Sequence, residues 1–140
     1  FLNRMQLKHF LVCEDVRTEA SGCLVLCGFS QRYVFQKPIT LRQLALVLSL
    51  DEVPVGRLDT SFSVWFVTSI VHAGAISGEI TGGIPVNVVY FANSVPILSS
   101  GTYEFRATIR NALDEVIEAK YALPIIVGAD GQKIQTTTVN

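Results

Sequence analysis

One hundred and forty residues carrying a formal charge of −1 have the length of a single domain, able to hold a core without disulfides. Apolar residues make up 49% and charged residues only 16%, against a typical ~25%, so some sheet faces are buried on both sides or a partner covers part of the surface. The eleven basic residues are scattered and no apolar run nears the ~20 residues of a membrane-spanning helix, which disfavours nucleic-acid and membrane roles.

The chain opens on Phe1, and its only methionine is Met5. Phe1 to Arg4 fit either a vector remnant or a trimmed N-terminus, with Met5 as a candidate native start. No basic segment leads into a 7–15 residue apolar stretch as in a signal peptide, so a cytoplasmic setting is expected. Leu7 to Asp15 reads as a strand apolar on both faces, with Phe10 and Val12 on one and Leu11 and Cys13 on the other. A polar turn from Arg17 to Gly22 leads to a second such strand, Cys23 to Phe29, and the two are expected to pair as a central hairpin. Gln31 to Pro38 is a connection carrying Tyr33 and Phe35.

Leucine and alanine would suit a helix over Thr40 to Leu50. The alternation of Leu44, Leu46, Leu48 and Leu50 with Ala45, Val47 and Ser49 favours a strand. Pro54 and Gly56 turn the chain into a strand over Thr60 to Ile70, with Phe62, Val64, Phe66 and Ile70 on one face and Ser61, Ser63, Trp65 and Ser69 on the other. His72 to Pro85, rich in glycine, is expected to be a mobile loop with at most one short strand around Ile76 to Ile80. Val86 to Phe91 is a strand and Ala92 to Ser100 a loop.

Gly101 to Arg110 carries the clearest pattern. Tyr103, Phe105, Ala107 and Ile109 alternate without a break against Thr102, Glu104, Arg106, Thr108 and Arg110, as in a strand with one face in water. Such strands belong to antiparallel sheets. A polar turn, Asn111 to Glu115, closes a hairpin with Val116 to Val127, whose Ile117, Ala119, Tyr121 and Leu123 face inward. Pro124 implies a sheet edge or a bulge there. Seven to nine strands and no convincing helix predict an all-β sandwich or barrel occupying residues 5–128. Residues 129–140 form a polar tail, either disordered or added to a sheet edge.

The stretches Leu7 to Arg17 and Gly22 to Phe29 together resemble a family of short bacterial proteins of unknown function. The stretch Gly101 to Arg110 resembles the penultimate strand of those proteins and of immunoglobulin-like sandwiches. The resemblance implies an antiparallel Greek-key β-sandwich of immunoglobulin-like type, with Tyr103 capping a corner through its hydroxyl. It carries over no catalytic residue.

Few residues suggest chemistry. Glu14 and Asp15 are adjacent, and neighbours on a strand point to opposite faces, so they do not make a working carboxylate pair. His9 and His72 lie in different elements, and Cys23 and Cys27 lack the pair spacing of a zinc site, so no metal or cofactor is implied. Cys13, Cys23 and Cys27 form an odd set and read as buried, reduced thiols. Trp65, on a face of serines, is the strongest candidate binding residue, followed by Tyr33 and Phe35; the competing reading buries Trp65 beneath a loop or second sheet. The sequence therefore points to a non-catalytic domain for protein binding or assembly, with a homodimer as one form. The alternative is a small-ligand binder or cysteine-dependent hydrolase with Cys27, His72 or Tyr33 at the mouth of a pocket between sheets.

Overall fold

The alternation along residues 101–110 decides the layering: Tyr103, Phe105, Ala107 and Ile109 are buried, while Thr102, Thr108 and Arg110 lie in water. The computed structural model describes residues 4–81 and 85–128, and among these there are strands and no helix. In chain order they are β1 (Gln6–Cys13), β2 (Asp15–Thr18), β3 (Leu24–Cys27), β4 (Tyr33–Phe35), β5 (Ile39–Asp51), β6 (Gly56–Phe66), β7 (Ser69–Ile80), β8 (Val86–Ile97), β9 (Gly101–Arg110) and β10 (Val116–Val127). A three-stranded sheet has the order β1-β5-β8 and a five-stranded sheet the order β4-β10-β9-β6-β7, while β2 and β3 form a separate ribbon. Every pairing is antiparallel except that of β10 with β4.

The two larger sheets pack through their apolar faces. From β5, Leu44, Leu46, Leu48 and Leu50 meet Phe62 and Val64 of β6, Tyr103 and Phe105 of β9, and Leu123 and Ile125 of β10 in one continuous cluster. Met5, just ahead of β1, is part of it. The residues expected to face inward on β10 do so, with Ala119 and Leu123 buried and Ile117 and Tyr121 half-buried against the cluster. Pro124 falls one residue before β10 begins to pair with β4 at Ile125, which agrees with the expected edge.

At the start of β9 the Tyr103 hydroxyl donates to the Ser99 carbonyl at 2.8 Å, tying down the corner that leads into the strand. The ring stacks on Phe66 with centroids 4.7 Å apart. After β9, the Asn111 side-chain oxygen accepts from the Leu113 and Glu115 amides, each at 3.0 Å, and so shapes the hairpin turn.

Five expectations need correcting. There are ten strands among the described residues rather than seven to nine, because β2 and β4 are short elements inside stretches read as turn and connection. Of the expected first strand, only the end at Glu14 and Asp15 meets the Cys23–Phe29 stretch, at Cys27. Instead β1 pairs with β5, and the chain bends at Glu14 so that β2 and β3 pair with each other. This ribbon covers the outer face of the three-stranded sheet, packing Val16, Leu24 and Leu26 over Cys13, Ala45 and Val47. That cover is why β1 and β5 are apolar on both faces.

The stretch read as one strand to Ile70 breaks at Val67, which adopts a φ of 55°. A β-branched residue rarely takes that conformation, so no glycine, asparagine or proline marks the turn. Beyond it, the expected mobile loop is the twelve-residue strand β7, paired with β6 throughout. β8 likewise runs on to Ile97; Pro96 is tolerated because β8 ends its sheet. Gly82, Gly83 and the tail at 129–140 lie outside the described residues.

Replacing Tyr103 with Phe removes one hydrogen bond and leaves the Ser99 carbonyl without this donor. The expected loss of stability is about 1 kcal/mol, read as a lower urea midpoint at unchanged slope.

Candidate functional site

Trp65 lies on the outer face of the five-stranded sheet, as the alternation predicts, and is half-buried. Among the described residues its contacts are on its own sheet. The indole Nε1 donates to Ser63 Oγ at 2.9 Å, and the Arg106 guanidinium from β9 sits 4.2 Å above the ring. Arg106 Nε also donates to Glu104, and Lys120 Nζ approaches the same carboxylate at 3.9 Å. Of this row, Trp65, Arg106 and Lys120 line a shallow hollow of about 290 Å³ with Ser63 and Glu118. Its parts satisfy one another, so the face is a solvated charged surface.

Tyr33 and Phe35 are three strands away, about 14 Å across the sheet. Tyr33 is buried, and its hydroxyl donates to the Gly28 carbonyl at 2.7 Å. Burial, reinforced by the Glu14 carboxylate, pushes the phenol up. Phe35 is half-buried and packs edge-on against Tyr33. Together they seat β4 against β10, and neither comes near Trp65.

The thiols differ from one another. Cys13 is buried, as expected, and burial raises its pKa. Cys27 is half-buried and Cys23 is exposed, because Cys23 stands in the turn ahead of β3 and not on a strand. Cys27 is on the ribbon outside the three-stranded sheet, whereas His72 lies between the sheets, so a full sheet separates them. Glu14 and Asp15 diverge as expected. Glu14 lies over Gly28, while Asp15 Oδ1 accepts from the Val16 amide and from Gln43 Nε2.

The arrangement that sequence reasoning missed is at the side of the sandwich where β7 and β8 each end a sheet. His72, Gly74, Ile76, Gly78 and Ile80 alternate onto the inner side of β7, opposite Val64, Phe62, Thr60, Leu58 and Gly56 of β6. Two glycines dilute this period-two signal. Tyr90 of β8 stacks on Phe62 with centroids 4.7 Å apart and planes 9° off parallel. Its hydroxyl reaches beneath Gly74, where any Cβ would collide with it. There it meets His72 Nε2 at 2.7 Å, linking the end strands of the two sheets. Further along, Leu58, Thr60, Ile76, Ile80, Val86 and Val88 line an apolar cleft of about 190 Å³. Ile76 remains exposed although the register turns it inward.

Burial lowers the pKa of His72 and raises that of Tyr90. A histidine held below its ordinary value near 6.5 takes up its proton more readily in the unfolded chain. Its contribution to stability is therefore complete above that value and declines as pH falls toward the lower folded value. Thermal unfolding should shift downward on acidification below pH ~6.5, before carboxylates titrate, and His72→Gln should flatten that slope.

The thiols supply a second test. Iodoacetamide on the native chain should modify Cys23 first and leave Cys13 untouched until denaturant is added, as peptide mass mapping would show.

No protein-family model matches the chain, and comparison with curated proteins found no match.

Proposed function

We propose that the chain is a non-catalytic β domain that binds or assembles with protein through an open sheet edge. The observation that supports this is β7. It is twelve residues long, ends its sheet, contains no proline and carries one formally charged side chain, Glu79. Natural sheets blunt their edges with short strands, lysine, proline or a covering segment. The other end strands follow that practice: β4 has three residues, β1 carries Lys8, and β8 contains Pro96. Among the described residues no strand pairs with the second side of β7, and Ile70 and Ile76 are exposed along it.

The immunoglobulin-like reading, with its link to short bacterial β proteins, belongs to the same proposal; the Tyr103 corner supports it. A cytoplasmic setting fits three unpaired cysteines. No helix among the described residues is long and apolar enough to cross a membrane. A small-ligand site between the sheets has less support, because the cleft of about 190 Å³ falls under the ~300–1,000 Å³ of ordinary ligand pockets.

Hydrogen exchange, with mass followed by light scattering, tests the open edge. In dilute monomer the alternate amides of β7 that point away from β6 should exchange fast, and they should become protected when a partner or second copy is bound. Uniform slow exchange along β7 in a verified monomer would mean that the edge is already occupied and would overturn the reading.

A further inference from the structure

We infer that the free edge of β7 and the cleft beneath it form one acceptor site for an extended peptide segment, with branched aliphatic side chains at alternate positions and a cationic residue on the opposite face. This rests on the open-edge reading and names its occupant.

A strand added to β7 continues the five-stranded sheet, so every second side chain turns toward the inner side, as Ile76 and Ile80 do. Among the described residues that side is unfinished. Ile76 is exposed, Val86 and Val88 of β8 are only half-buried, and a Cβ built on Gly78 would meet nothing. Aliphatic side chains from an added strand would cover these groups and fill the cleft, while the backbone would supply the missing ladder hydrogen bonds. Main-chain bonds for affinity and alternate pockets for specificity are the two parts of recognition by strand addition.

Area and charge both favour a peptide over a second copy of this chain. Twelve residues of edge are about 40 Å long and one strand wide, on the order of 200 Å² before side chains, against roughly 800 Å² per partner in a stable interface. A second β7 would alternate Gly74 and Gly78 with Ile76 and Ile80 on the cleft side, so it would fill the cleft at only every other inner position. Glu79 faces the outer side. Arg57 lies directly across from it on β6 and attracts it, while the guanidinium is hydrogen-bonded to Asp59 at 2.8 Å. A lysine or arginine on the added strand would complement Glu79, as opposite charges do across strands.

The probe is a fluorescein-labelled heptapeptide with lysine at each end and valine alternating with threonine between, so that either strand direction brings a lysine to Glu79. Fluorescence anisotropy with the full chain should show saturable binding. Replacing the valines with serine, or N-methylating alternate backbone amides, should each weaken it by about tenfold or more. Gly78→Leu, which occupies the cleft from within and has room to do so without left-handed backbone, should weaken binding about tenfold while the melting curve stays in place. Glu79→Gln gives a smaller loss and serves as a second variant should Gly78→Leu melt early.

Equal binding of the N-methylated peptide would overturn strand addition, and indifference to both variants would overturn the site. If no peptide binds while the outward amides of β7 exchange fast, the occupant is wrong and the open edge stands. If those amides are protected in the monomer, both readings fall together.

Discussion

Leu44, Leu46, Leu48 and Leu50 lose almost all contact with water on one face of β5, and Ala45 and Val47 lose theirs on the other. Each leucine buried in this way is worth about 1.5–3 kcal/mol, and no other strand contributes as many. The two faces need two different covers. The five-stranded sheet supplies one and the β2–β3 ribbon the other, so the position of both follows from this central strand. β1 and β8 flank β5, and β8 is thereby left at the side of the sandwich, under β7.

The parts of this plan that rest on uninterrupted alternation could be read from residue order. β5, β9 and β10 each show it, and each is found with the expected faces buried. The elements that could not be read fail for identifiable reasons. β1 and β3 are apolar on both sides, which says that two layers exist but not which strand each one joins. Val67 turns the chain with a conformation its side chain disfavours, so β6 and β7 look continuous. β7 itself is obscured because its inner positions at 74 and 78 are glycines, residues that ordinarily signal a loop. There the small residue answers a tertiary demand, the Tyr90 hydroxyl, and not a local one.

The candidate residues divide along the same line. Period two places Trp65 on the correct face, but its indole is engaged by Ser63, two positions back on that face, and by Arg106 on the neighbouring strand. Tyr33 and Phe35 sit in a three-residue strand whose parallel partner is about ninety positions away, a pairing with no local signature. The open edge of β7 is a property of sheet order, and sheet order is the feature least visible in a single chain read on its own.

The approach of Tyr90 to Gly74 has an evolutionary corollary. Position 74 has no room for even a methyl group while position 90 holds a tyrosine, and the freedom at one is set by the choice at the other. Among descendants of this chain the two sites should therefore drift as a unit. A lineage that gains a side chain at 74 must move the phenol at 90 aside or trade it for something shorter, and in either case it gives up the polar link between the sheets. The glycine is a record of the aromatic ring opposite it.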